Sequence, residues 1–272
     1  MEAEMKLNKK SEIVHGQKQI YTDMVIAAHQ DDIEIMCPQG IIKGYQNSTF
    51  GLVAVVATNG SGSPRAGKFA AMTDAEMMKV RRLEQIAAAK TGDYAELVML
   101  NFTSAEIKNQ TNPEPTNDIV EMMLFYRPQT MYIHNLADKH PTHVGTALRC
   151  IEAIRKIPKA LRPSKLYGCE VWRGLDWLND DEKIVFDVSG NDKLLQDVLA
   201  VYESQIAGGK RYDLATLGRR RANATYSESH GVDACTQAAY AMDLTPLIED
   251  DTLSPREFIR AAIERFKNDI LF

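Results

Sequence analysis

Residues 21–37, YTDMVIAAHQDDIEIMC, set an apolar run directly against an imidazole and three carboxylates. Residues 24–28 have the length and composition of a buried strand. His29, Gln30, Asp31 and Asp32 follow at once, with Glu34 two residues further on. Carboxylates this close repel each other and are costly to desolvate unless a cation neutralises them. A bound metal ion meets that need, and an open α/β sheet places its ligands just outside the carboxyl ends of its strands. This stretch therefore reads as a doubly covered strand that opens onto a metal site, and the rest of the chain has to supply the missing ligands.

Working outward, short apolar runs predict strands at about 23–28, 50–58, 96–101, 130–135, 165–172 and 183–188. The first four show little alternation, as expected of strands covered on both faces. Helical patterns lie between them. The clearest covers 74–90, where Thr73 and Glu76 have capping-box spacing and Val80, Leu83, Ile86 and Ala87 make an apolar stripe. A shorter helix is expected at 117–125, and another at 141–156 opening on Pro141. The alternation implies right-handed crossovers and an α/β fold, a Rossmann-like, mostly parallel sheet flanked by helices. From about residue 163 the pattern changes to two close strands, then helices at 192–203, 212–227 and 255–267. We expect a single domain with a Rossmann-like core over about 20–160 and a C-terminal α+β extension over about 161–272.

Composition excludes several classes. Of 272 residues, 44% are hydrophobic and 25% charged, ordinary for a chain with a sizeable core. A net charge of −5 and the lack of a basic stripe argue against nucleic acid as partner. Arg219-Arg220-Arg221 is the one dense basic cluster, either a solvated helix face or an anion contact. Cys37, Cys150, Cys169 and Cys235 have no paired spacing, so neither a disulfide framework nor a cysteine zinc site is expected. There is no signal-like apolar segment near the N-terminus and no run long enough to span a membrane, so a cytoplasmic protein is expected, with homo-oligomerisation left open.

The strand ends carry the chemistry. After the first, His29 and Asp32 are three apart and can face one point in a tight turn, and a histidine nitrogen with a carboxylate oxygen suits zinc. Asp31 would remain unligated and free to take a proton from water; the alternative is that one aspartate only caps a helix. After the second strand, 62–68 fits GxxxxGK, but Phe69 cannot hold magnesium and Pro64 lacks an amide, so a phosphate loop is rejected. A polar loop offering Arg65 to substrate hydroxyls or an anionic group is expected instead. After the fourth strand, His134, Asp138, His140 and His143 fall within ten residues of a chain with six histidines. One of them can complete three protein ligands and leave a position open, the arrangement of a catalytic zinc.

The pair AHQDDIEI and HPTH, with the arginine-bearing helix after residue 79, resembles the LmbE/PIG-L family of zinc-dependent N-deacetylases, whose signatures are AHPDD and HPDH. The likeness spans about residues 23–155 and is fainter at HGVDACTQAAYAM. It implies that His29, Asp32 and His143 bind Zn2+ (Fe2+ or another divalent ion being possible), that Asp31 is the general base, and that His140 stabilises the oxyanion or protonates the amine. Asp138 would orient one of these groups. Two positions depart from the family: Gln30 replaces a proline, with little effect expected, and Thr142 replaces an aspartate, which could lower the pKa of His140. The implied reaction is hydrolysis of an N-acetyl group on an N-acetylglucosamine-type conjugate, the departing amine taking its proton from His140 or from Asp31. A metal-dependent phosphoesterase and a non-catalytic sugar-binding relative are the alternatives. Arg81 and Arg82 either touch substrate or, as we expect, pair with Glu76 or Glu84.

Overall fold

A computed structural model describes residues 5–270. Eight strands form one sheet: β1 (Glu12–His15), β2 (Asp23–Ala27), β3 (Leu52–Thr58), β4 (Glu96–Phe102), β5 (Thr130–His134), β6 (Lys165–Cys169), β7 (Lys183–Asp187) and β8 (Ala238–Asp243). Their spatial order is β1-β4-β3-β2-β5-β6-β8-β7. The run β4-β3-β2-β5-β6 is parallel, and β1, β8 and β7 are antiparallel to their neighbours. The Rossmann-like expectation is correct.

Every residue of β2 and β3 is buried, and alternate side chains enter different cores. Met24, Ile26, Val53 and Val55 pack into one, with Met122 and Ile151. Val25, Ala27, Ala54 and Val56 pack into the other, with Ile33 and Ile41. Period-two alternation with both faces covered is why these segments read as continuous apolar runs.

The covering helices are α1 (Asp32–Met36), α2 (Pro38–Gly44), α3 (Asp74–Thr91), α4 (Ser104–Lys108), α5 (Glu114–Tyr126) and α6 (Pro141–Lys156). After them come α7 (Asp192–Ala200), α8 (Glu203–Ile206), α9 (Tyr212–Thr225), α10 (Pro246–Glu249) and α11 (Pro255–Asp269). The capping box of α3 forms as its spacing requires, with Thr73 and Glu76 bonding each other's backbone N–H. Two strands were not expected: β1 is a short, half-exposed edge, and β8, AAYAMD, lacks β-branched residues. The sequence pattern also ran the sixth-strand region too far, since β6 stops at Cys169.

The segment beyond residue 161 continues the same sheet through β8 and β7. Its helices pack back on the core, α7 against α3 and α9 against β8. The three consecutive arginines of α9 have separate tasks. Arg220 is buried and its Nη2 donates to the carbonyls of Glu34 at 2.7 Å and Ile35 at 3.4 Å, at the C-terminal end of α1. A cation is favourable there because the last carbonyls of a helix lack partners. Arg221 meets Asp192 at 3.5 Å on the surface, and Arg219 donates to the Val171 carbonyl. All four cysteines are free, three of them buried. Among the described residues no helix is long and apolar enough to cross a membrane.

The strand order fixes where a ligand can sit. The chain steps from β2 outward to β3 and β4, then returns to place β5 on the other side of β2. Crossovers diverge above the β2–β5 pair and leave a crevice at its carboxyl end.

Candidate active site

Both quoted motifs leave the sheet at that crevice, one from β2 and one from β5. Asp31 closes the turn between β2 and α1 with φ 77° and ψ −26°, a left-handed conformation that aspartate tolerates better than most residues. The turn sends His29 and Asp32 toward one point. From the other side, Pro141 starts α6 and His140 caps it, which places His143 in the first turn, fully buried.

The three atoms converge. His29 Nδ1 lies 3.2 Å from Asp32 Oδ2 and 3.1 Å from His143 Nε2, and His143 Nε2 lies 3.2 Å from the same Asp32 oxygen. With His29 Nδ1 and His143 Nε2 unprotonated, two imidazole nitrogens and a carboxylate oxygen would turn lone pairs on one another, an arrangement that a cation satisfies. A tetrahedral ion with ligand bonds of about 2.0–2.1 Å would need ligand separations of about 3.3 Å, so the triangle fits a zinc-sized cation. Asp138 Oδ1 stands 3.5 Å from His143 Nδ1, too long for a good hydrogen bond but placed to favour a proton on that nitrogen and so to turn the Nε2 lone pair toward the triangle. The same Oδ1 accepts from the His140 backbone N–H at 2.9 Å, and Oδ2 accepts from Trp172 N–H at 3.0 Å. Asp138 thus stands behind His143 and holds only the backbone of His140.

His134 and His140 also belong to this cluster of rings. His134 Nε2 accepts the Ala28 N–H at 2.8 Å, so that lone pair is already used. His140 Nδ1 accepts the Thr142 N–H at 3.3 Å, which leaves its proton on Nε2. Burial and the nearby imidazoles of His143 and His29 hold the pKa of His140 down at about 4, and its place at a helix N-terminus disfavours a cation further. Thr142, in place of an acid, is consistent with that neutral state.

Asp31 is buried beside the triangle without entering it. Its Oδ2 pairs with Arg81 Nη2 at 2.9 Å, and Arg81 Nη1 pairs with Glu84 at 3.1 Å. Burial pushes the carboxyl up to about 7, against the lowering by Arg81 and with a further rise from Asp32. The Arg81–Glu84 pair was foreseen, but the contact with Asp31 was not. Arg82 meets Glu12 instead of Glu76 or Glu84.

Two expectations about neighbouring residues change. Gln30 is buried, and its Nε2 holds the Thr58 carbonyl at 3.0 Å, tying the exits of β2 and β3 together. The loop after β3 does line the site through Ser61, Gly62, Ser63 and Pro64. Arg65 does not line it: its Nη2 is taken by the Ser61 carbonyl at 2.8 Å and by Asp74 at 2.5 Å, so it braces the loop. Gly60 in that loop has φ +70°, and a Cβ there would come within 2.5 Å of Gln30 Oε1 and 3.0 Å of Arg81 Cβ. Only glycine fits.

Glu34, the last acid of the quoted stretch, is fully buried and serves the scaffold. It accepts from Tyr94 OH at 2.6 Å, Tyr202 OH at 2.7 Å and Gln85 Nε2 at 3.1 Å, joining α1 to α3 and the chain before α8. Burial raises its pKa.

Above the triangle opens a cavity of about 370 Å³. His29, Asp31 and Asp32 form its floor with His140 and Thr142 beside them, and Val171, Trp172, Tyr212 and Arg219 form the far wall. That wall belongs to the C-terminal segment and was not legible in the sequence: Val171 and Trp172 come from the exit of β6, and the packing of α9 against β8 brings Tyr212 and Arg219 over the crevice.

Comparisons with known proteins agree with this geometry. Residues 24–154 match the family described as PIG-L, GlcNAc-PI de-N-acetylase. No curated protein matches the chain in sequence. Among solved structures, the N,N'-diacetylchitobiose deacetylase of Pyrococcus horikoshii is similar over 85% of this chain and 86% of its own, with 15% identity and a TM-score of 0.66. The zinc-inhibited form of teicoplanin deacetylase Orf2 is similar over 82% and 97%, with 14% identity and a TM-score of 0.59. The 4-carboxy-2-hydroxymuconate hydratase GalB of Pseudomonas putida KT2440 is similar over 83% and 96%, with 15% identity and a TM-score of 0.60. At these identities the likeness establishes the fold, which has carried more than one chemistry. The family match covers the crevice motifs from His29 to His143 together with Arg81, so the part of the chain that builds the crevice, residues 24–154, is similar to the PIG-L (LmbE-like) family.

Proposed function

We propose that this protein is a metal-dependent hydrolase that removes the N-acetyl group from an N-acetylglucosamine-type conjugate. The observation that carries the reading is the triangle of His29, Asp32 and His143 with an unligated carboxylate, Asp31, beside it on a cavity floor. The family description and the deacetylases among the fold relatives support the choice of an acetylated amino sugar.

In this reading His29 Nδ1, Asp32 Oδ2 and His143 Nε2 hold zinc, or another divalent ion such as Fe2+. Such an ion supplies Lewis acidity toward an amide carbonyl and toward water. Asp31 has one oxygen fixed by Arg81, which leaves Oδ1 to take the proton of the attacking water. Its raised pKa suits a base that works near neutral pH. His140, neutral with its proton on Nε2, donates a hydrogen bond to the oxyanion of the tetrahedral adduct. Of the two candidate donors to the departing amine, Asp31 is the better acid at that stage, since it holds the proton taken from water while neutral His140 would have to become an imidazolate to give up its own. Acetate and a free amine are released.

The test is acetate release from a panel of N-acetylated amino sugars, with metal content measured on the same samples. Asp31→Ala should keep its metal and lose on the order of 10²–10⁴-fold in turnover, whereas His143→Ala should lose its metal on dialysis. Full activity in Asp31→Ala would remove the assigned base, and release of phosphate instead of acetate would install a phosphoesterase.

A further inference from the structure

The cavity is one-sided in charge. Among the described residues its only acidic lining residues are Asp31 and Asp32, both on the floor, and Asp31 is already matched by Arg81. The rim carries Lys108 of α4 and Arg219 of α9 and, among the described residues, no acid. Among the described residues neither cation has a carboxylate partner within 4.0 Å. The acids nearest in sequence are engaged elsewhere: Glu106 with Lys10 at 2.8 Å, and Asp213 with Arg211 at 2.7 Å. The buried Glu170, whose pKa burial raises and Arg219 lowers from beyond ion-pair distance, is already held by the Leu175 N–H and Asn223. Arg219 gives one N–H to the Val171 carbonyl, which leaves most of the five donors of its guanidinium uncommitted. Lys210 adds a third positive charge to the same wall, its ammonium 5.0 Å from the centroid of the Trp172 ring. In a chain with a net charge of −5 this excess is local and not a background. Clefts lined by one sign of charge concentrate ligands of the other.

We propose that the substrate bears an anionic group, a carboxylate or a phosphate, on the part of the molecule away from the acetamide, and that Arg219 receives it with Lys108 across the rim. This deepens the reading of the site as one for an acetylated amino sugar and rests on it. A volume of about 370 Å³ lies near the lower end of the roughly 300–1,000 Å³ usual for ligand pockets. It suits a monosaccharide with a small charged substituent better than a polymer.

Calorimetric titration of the full chain with three ligands tests this: methyl N-acetylglucosaminide, its carboxymethyl analogue, and N-acetylglucosamine 1-phosphate. Titrations on metal-loaded and metal-stripped protein separate contact with the rim from contact with a metal. The expected result is about tenfold or more tighter binding of at least one anionic ligand in both states, weakened by salt. The carboxymethyl and phosphate arms tell which anion is preferred. The ratio of anionic to neutral affinity should collapse to within twofold in Arg219→Met, be partly kept in Arg219→Lys, and fall in Lys108→Met, a change at an exposed position ending α4. Equal affinities in the wild type, or a ratio unchanged in both methionine variants, would overturn the proposal. Loss of acetate release with the anion preference intact would fault the proposed reaction and leave the anion site standing.

Discussion

Arg81→Met is the most informative single change outside the metal ligands. Arg81 is 1% exposed and pairs with two carboxylates, Asp31 at 6% and Glu84 at 8% exposure. Glu84 keeps two other donors when the arginine is lost, the N–H and the hydroxyl of Ser204, both at 2.7 Å. The side-chain carboxylate of Asp31 keeps none. Removing one partner of a buried pair typically costs about 3–5 kcal/mol, and at about 2–4 °C per kcal/mol for a chain of this size Tm should fall by roughly 6–20 °C. The pH dependence identifies the cause. In the wild type Asp31 has a folded pKa of about 7, above its unfolded value, so it is charged and engages Arg81 as an ion only above that pH. Without the arginine its pKa rises further, so the stability deficit should be larger at pH 8 than at pH 6 by about 1.4 kcal/mol, one unit of ionisation. Thermal and urea unfolding of metal-stripped protein at the two pH values measures it. Adding Asp31→Asn to Arg81→Met should abolish the pH-dependent part. A deficit that does not change with pH, or one larger at pH 6, would refute the idea that Arg81 acts on the charge of Asp31.

Other expectations follow from the same geometry. His140→Ala should keep metal and lose on the order of 10²–10³-fold in kcat, the cost of one oxyanion donor. Because the pKa of His140 is lowered to about 4, activity should not fall as pH rises through the ordinary histidine range; a loss centred near pH 6.5 that disappears in His140→Gln would show an acid at work. Asp138→Asn should weaken metal binding about 10–100-fold by loosening His143, read by competition with a chromogenic chelator, and an unchanged affinity would separate Asp138 from the metal centre.

The parts legible in the sequence were those encoded within a single segment. β2 to β5 announce themselves because both faces are covered, and the two polar motifs stand out because each follows such a strand. β1 escaped notice as a four-residue edge, and β8 because its alanines carry no strand preference. The Asp31–Arg81 contact and the role of Gln30 depend on how α3 and the loop after β3 settle over the turn, which no local pattern states. Arg65 misled for the same reason. A polar loop beside the site could be read from the sequence, but which of its side chains turns to Asp74 could not.

One feature of the crevice sets its width. The paired register of β2 and β5 covers only Asp23 to Val25, and above it the Ala28 N–H bonds an imidazole, His134, where a continuing ladder would use a peptide carbonyl. The gap between the two motifs is therefore spanned by side chains, His134 to the Ala28 N–H and His143 to His29 and Asp32, and not by the fixed repeat of a sheet. A shorter acceptor at position 134, such as asparagine, should shift the two motifs against each other, and any effect on the site would come from a residue whose own lone pair is committed to the backbone.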